Sequence, residues 1–193
     1  MNKAIFFDRD GVLLKTVFHK EYNEYGPPLR VEQLIFQEDI FNTLKKVKKL
    51  GYLYFLISNQ PDFAKGRIGI ENLRTVHNVF DRNLKCNGIF FEDYYYCYHH
   101  PDGIIPEYTL KCNCRKPGNA NVEKAIKKYD IDRNFSWFIG DRSKDIECGR
   151  SSGLKTILFE SRQTKKEKMK YKPDYVIKEF DVLYKIISKF EIQ

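Results

Sequence analysis

The chain alternates between short, unbroken apolar runs and longer stretches in which apolar residues recur every three or four positions. KAIFF opens it and stops abruptly at Asp8; YLYFLIS (52–58), GIFFEDYYYC (88–97), SWFIG (136–140), TILFE (156–160) and DYVI (174–177) are further runs of strand length. Short runs without polar alternation mark strands covered on both faces. Between them lie helical stripes. In EDIFNTLKKVKKLG the apolar positions are 40, 41, 44, 47 and 50, with Gly51 where a C-cap belongs. Leu73, Val76, Phe80 and Leu84 repeat at helical spacing, and NANVEKAIKKYDI, SKDIECGRSSG and DVLYKIISKF predict three further helices. The stretch from about Lys15 to Arg30 predicts a polar, proline-bearing loop.

Strand and helix in alternation predict an α/β fold, a parallel sheet with helices on both faces, built as one domain over residues 1–193. Ligands in that architecture bind beyond the carboxyl ends of the strands. Three of those ends carry polar clusters: D-R-D-G at 8–11, S-N-Q at 58–60 and G-D-R-S-K-D at 140–145.

Composition narrows the function. With 42% apolar and 15% aromatic residues the chain can bury a core, and no run approaches the length that spans a bilayer. MNKAIFFDRDG meets charge too early for a signal peptide, so a cytoplasmic protein without a membrane partner is expected. A formal charge of +8 suits anionic partners, either phosphorylated metabolites or nucleic acid. The thirteen tyrosines cluster in the predicted strands and loop rather than interleaving with a basic stripe, which argues against a nucleic-acid end phosphatase or binding module. No specific nucleic-acid partner is expected. Neither a P-loop nor a dinucleotide fingerprint occurs.

The chemistry is carboxylate-based. Asp8 ends the first strand, and a turn at Gly11 can aim Asp10 over the same site, where two carboxylates share a hard cation and divide nucleophilic and acid/base work. Asp141 follows another strand end and can complete an oxygen shell for Mg²⁺; Asp145 is read as support, near a helix N-terminus. Ser58 and Asn59 offer donors for phosphate oxygens. The five cysteines are an odd number, and Cys112 and Cys114 lie close together, which favours metal binding over a disulfide framework. Cys97-x-His99, twelve residues, then Cys112-x-Cys114 predicts a closed structural zinc shell within a loop at 97–114, with His100 as the alternative imidazole.

Taken together these motifs resemble the haloacid dehalogenase superfamily of aspartate-nucleophile phosphatases, over nearly the whole chain: FFDRDGVL, ISNQ, the lysine of CRKPG and IGDRSKD match its four motifs in order. The C-x-H…C-x-C-R-K-P insertion is similar to the D-glycero-D-manno-heptose 1,7-bisphosphate 7-phosphatases and, with a shorter loop, to the histidinol-phosphate phosphatases. The resemblance implies a Rossmann-like fold without a large cap domain. It implies Asp8 as nucleophile, Asp10 as acid/base, and Mg²⁺ held by Asp8, the Asp10 carbonyl and Asp141. It implies Ser58 and Lys116 as stabilisers of the transferring phosphoryl group, and Asn59, Gln60, Arg115 and Lys116 as substrate contacts. The implied activity is Mg²⁺-dependent hydrolysis of a small phosphorylated sugar by a monomer, with the heptose bisphosphate of surface-polysaccharide synthesis ahead of histidinol phosphate. Two departures concern the substrate-facing wall: the loop after Asp10 is longer than in the heptose enzymes, and Lys65 stands where an arginine is usual.

Overall fold

In the computed structural model, which describes residues 1–161, 164 and 167–191, a six-stranded parallel sheet has the order β5-β4-β1-β6-β7-β8. Its strands are β1 (Ala4–Phe7), β4 (Leu53–Asn59), β5 (Asp93–Cys97), β6 (Trp137–Gly140), β7 (Lys155–Phe159) and β8 (Tyr175–Ile177). The helices are α1 (Ile40–Lys48), α2 (Ile70–Cys86), α3 (Ala120–Tyr129), α4 (Ser143–Ser151) and α5 (Phe180–Phe190). Every predicted helix is present.

The apolar runs are continuous because both faces of the sheet are covered. Ile5 and Phe7 point into one core with Leu44 of α1, Phe80 of α2 and Leu183 of α5; Ala4 and Phe6 point into the other with Val122 of α3 and Cys148 of α4. Phe6 stacks on Phe55 and Phe138 at 5.2 and 6.4 Å between centroids, tying three adjacent strands together. Each such fully buried ring contributes about 1.5–3 kcal/mol. β1 lies at the centre of this packing, so the position of its carboxyl end is fixed from both sides.

Two predictions need correction. The stretch from Lys15 to Arg30 is not an irregular loop: Val17–His19 (β2) pairs antiparallel with Glu24–Gly26 (β3) as a separate hairpin. The expected strand at 88–97 is regular only over Asp93–Cys97. Ile89 and Phe91 before it are buried and pack on the core without joining the ladder, so their apolarity reports burial rather than pairing. Among the described residues no helix is long and apolar enough to cross a membrane.

Candidate active site and metal centres

β1 delivers Asp8 to the carboxyl edge of the sheet, and the chain turns back at Gly11, whose φ is +93°. A Cβ at Gly11 would collide with the Asp141 carboxylate, so both the backbone and the space require glycine here. The turn places Asp10 beside Asp8 with both carboxylate oxygens held. Arg9 Nε donates to Oδ1 at 2.9 Å, and Gln60 Nε2 donates to Oδ2 at 2.6 Å. Burial pushes the Asp10 pKa up, with the Arg9 guanidinium pulling against it and the Asp8 charge adding to it. Asp10 is therefore a carboxyl that can carry a proton at higher pH than an ordinary aspartate.

Arg9 carries no motif signal, yet it is 1% exposed. Its Nη2 donates to Gln60 Oε1 at 2.9 Å, and its guanidinium carbon lies 5.8 Å from the Tyr96 ring centroid. Gln60 and Ser58 are each also 1% exposed, and Gln60 Nε2 donates to Ser58 Oγ at 3.0 Å. These two side chains stand behind Asp10, within the protein.

Lys116 is buried and uses all three of its N–H groups: Nζ meets Asp8 Oδ1 at 2.8 Å, Asp145 Oδ1 at 2.7 Å and the Ile57 carbonyl at 2.8 Å. Burial works against its charge, but Asp145 and Asp8 outweigh that and hold its pKa above the ordinary lysine value. The main chain of Lys116 is held as well. Its N–H donates to Asn59 Oδ1 at 3.0 Å, and Asn59 Nδ2 donates to its carbonyl at 3.1 Å. Asp145 also accepts from the Arg142 N–H at 3.0 Å, so it starts α4 and grips the lysine at once; a Cβ at Gly140 would clash with it.

β6 brings Asp141 to the same edge, fully buried. Ser161 Oγ donates to its Oδ2 at 2.7 Å, whereas Oδ1 has no hydrogen-bond partner among the described residues. Burial first, then the charges of Asp145 and Asp8, push its pKa well above the carboxylate range. Asp8, Asp141 and Asp145 offer oxygens within 4.8 Å of one another. Hard oxygens that repel one another, one of them buried and unpartnered, are a donor set suited to a small divalent cation.

The second cluster is soft. Cys97, His99, Cys112 and Cys114 present their ligand atoms within 4.8 Å of one another. Cys114 Sγ lies 3.1 Å from Cys112 Sγ, 3.4 Å from Cys97 Sγ and 3.5 Å from His99 Nδ1. Three thiols and one imidazole converge on one point, the arrangement of a closed tetrahedral metal site. His100 is outside it: its Nδ1 accepts from the Asp102 N–H at 3.1 Å, and the residue lines the cavity.

That cavity, of about 290 Å³, lies over the carboxylates. Asp8, Asp10, Asp145 and Lys116 form its buried end, together with Asn59. Arg115, Arg142, Lys144 and Lys65, which are more exposed, also line it, as do Asp62 and Arg67 of the loop after β4 and Glu24, Tyr25 and Gly26 of the hairpin. Among the expected site residues, Asp8, Asp10, Asn59, Arg115 and Lys116 line the cavity, Asp141 lies just beneath, and Ser58 and Gln60 sit behind. Arg142, Lys144 and the hairpin residues were not legible as site residues, because nothing in their local sequence marks which side of a loop faces a cavity.

A carboxylate at a central strand end, a second carboxyl beside it, a buried lysine and a cluster of three acids agree with the HAD-like motifs read from the sequence. A HAD-hydrolase-like family model matches residues 113–183. The chain is 34% identical over 152 residues, 79% of each chain, to the D-glycero-alpha-D-manno-heptose-1,7-bisphosphate 7-phosphatase of Photorhabdus laumondii. It is 32% identical over 189 residues to the D-glycero-beta-D-manno-heptose-1,7-bisphosphate 7-phosphatase of Pasteurella multocida, covering 97% of this chain and 98% of that one. Its fold matches a crystal structure of D,D-heptose 1.7-bisphosphate phosphatase from B. bronchiseptica complexed with magnesium and phosphate, with a TM-score of 0.81 at 19% identity, over 97% of this chain and 99% of that one. The chain belongs to the HAD-like phosphatases, in the family of the heptose-1,7-bisphosphate 7-phosphatases.

Proposed function

We propose that the chain hydrolyses the 7-phosphate of D-glycero-D-manno-heptose 1,7-bisphosphate for surface-polysaccharide synthesis, acting as a cytoplasmic monomer in which loops rather than a cap domain wall the pocket. The observation that carries this reading is the cavity: Asp8 and Lys116 at its buried end, and further, more exposed cations lining it for the phosphate that is not cut. The near end-to-end likeness to heptose-bisphosphate phosphatases supports the substrate class.

In this reading Asp8 attacks phosphorus in line, the P–O bond to the sugar breaks, and the leaving oxygen takes its proton from Asp10. The resulting aspartyl-phosphate is then hydrolysed by a water from which Asp10 removes a proton, and inorganic phosphate leaves. Lys116 is bound to Asp8 before substrate arrives, so its charge is already in place for the equatorial oxygens. Mg²⁺, held by Asp8, the Asp10 carbonyl and Asp141, would supply further neutralisation of phosphoryl charge. Arg115, with its planar fork, contacts the second phosphate. Cys97, His99, Cys112 and Cys114 would hold Zn²⁺ in a structural role, which would fix the segment that carries Arg115 and Lys116.

Phosphate release should be measured on both anomers of the heptose bisphosphate and on histidinol phosphate, with and without Mg²⁺. The expected result is a kcat/KM at least about tenfold higher on a heptose bisphosphate than on histidinol phosphate. A preference for histidinol phosphate would overturn the substrate, and no turnover of any phosphate ester would overturn the enzyme reading.

A further inference from the structure

Resting on the phosphatase reading, we propose that Arg67 is a specificity-determining positioning residue: it latches the β2–β3 hairpin to the loop after β4 and thereby sets the wall that meets the sugar chain of the substrate. The hairpin has only three residues in each strand, and its Phe18–Tyr25 ring contact lies on a partly exposed face. A two-stranded hairpin of that size does not hold its position unaided. Yet it supplies Glu24, Tyr25 and Gly26 to the cavity, so something outside it must fix where they stand.

Arg67, which itself lines the cavity, meets that need from the loop after β4. Its Nη1 pairs with Glu24 of the hairpin, and its guanidinium carbon lies 4.2 Å from the centroid of the Tyr22 ring at the hairpin tip. An isolated exposed ion pair contributes little, because two mobile side chains must be ordered to make it. Arg67 is already ordered: Nη1 also pairs at 3.2 Å with Asp62, which is 3% exposed, and the Arg67 N–H donates to the Asp62 carbonyl at 2.9 Å. The loop beneath it is fixed in turn. The Ile104 N–H donates to the Ala64 carbonyl at 2.7 Å, and the Phe63 and Tyr108 rings meet edge to face at 4.8 Å. Pairing with two carboxylates while stacking on a tyrosine is work for a planar guanidinium, which a lysine ammonium cannot reproduce.

The test compares wild type with Arg67→Ala, Arg67→Lys, Glu24→Gln and the double variant Glu24→Gln/Arg67→Ala, by hydrogen–deuterium exchange and by kinetics on the heptose bisphosphate and on p-nitrophenyl phosphate, which has no sugar chain. Arg67→Ala should speed exchange in residues 17–26 at least tenfold while α3 and β6 keep their protection. It should also lower the ratio of kcat/KM on the sugar bisphosphate to that on the aryl phosphate at least tenfold, mainly through KM. Glu24→Gln should move both readouts in the same direction by less, the double variant should add little to Arg67→Ala, and Arg67→Lys should restore only part. Unchanged exchange in the hairpin, or equal losses on the two substrates, would overturn the latch. If wild type turns over the aryl phosphate but no heptose bisphosphate, the substrate assignment fails while exchange still decides the latch.

Discussion

The carboxylate centre and the cysteine clip both gather four or more polar side chains around a point, but they are held in opposite ways. Asp8, Asp10, Lys116, Asp141 and Asp145 arrive from separate strand ends and loops, and the packed sheet positions them. Of the clip, Cys97 ends β5, whereas His99, Cys112 and Cys114 lie in the loop that follows, whose body between 100 and 111 contains only a single short turn of 3₁₀ helix, Pro106–Tyr108. The first centre has its own internal cation, since Lys116 already pairs with Asp8 and Asp145. The second has no buried lysine among its ligands; its neighbouring cation is the half-buried Arg115, whose charge interacts with Cys97, Cys112 and Cys114 and whose Nη1 donates to the His99 carbonyl at 3.3 Å. On the metal assignments proposed above, loss of Mg²⁺ from the first should cost chemistry and leave the fold, and loss of Zn²⁺ from the second should cost order.

The largest effect that sharpens this contrast is Asp8→Asn. It should abolish phosphate release, by at least about a thousandfold in kcat, with an unchanged far-UV spectrum. Residual turnover near wild type would remove Asp8 as nucleophile. Next, stripping zinc, by chelation or by Cys112→Ser with metal content verified, should lower kcat/KM by about ten- to a hundredfold. The loss would run through Arg115 and Lys116, which directly follow Cys114. Full activity in a demonstrably metal-free clip would reduce it to a staple and erase the link between the two centres.

Asn59 tests the same link from the sheet side. Asn59→Ala removes both hydrogen bonds to the Lys116 main chain and should cost about 1–3 kcal/mol in a denaturant titration, together with a fall in kcat. A loss of stability without any change in kcat would mean that the lysine keeps its place unaided. The smallest effect lies outside both centres. His77 donates or accepts at 2.9 Å with Tyr96 beneath Arg9, and its burial lowers its pKa from the ordinary 6.5. The unfolded chain then binds the proton more readily, so this contribution to stability is complete above about pH 6.5 and is lost as pH falls through the lower folded value. His77→Gln should flatten the decline in melting temperature below pH 6.5, and an identical slope in both proteins would exclude His77 as its source.

Much of this was legible in the sequence, for a physical reason. In a parallel sheet covered on both faces, strands such as AIFF and YFLI must be apolar throughout, and the first polar residues afterwards mark the carboxyl edge where ligands bind. That reasoning located Asp8, Asp141 and the S-N-Q strand end directly. It missed the β2–β3 hairpin because those strands are short and half exposed, so neither continuous apolarity nor clean alternation marks them. It also passed over Arg9, whose burial depends on Gln60 and Tyr96, far away in the chain. Contacts made between distant segments leave no local periodicity, and the hairpin latch at Arg67 belongs to the same class.

The collision that a Cβ at Gly11 would cause with Asp141 has a consequence for the order of assembly. The first motif and the fourth are packed so closely that neither reaches its final geometry until the other is present. A nascent chain that has emerged only through β5 carries Asp8 and Asp10 but lacks Lys116, Asp141 and Asp145, and its central strand has yet to meet β6. Catalytic competence therefore switches on late in synthesis, when the second half of the chain docks onto the first. Until then two aspartates at the end of β1 stand near water without the lysine that will hold one of them, so a half-made chain is no partial phosphatase.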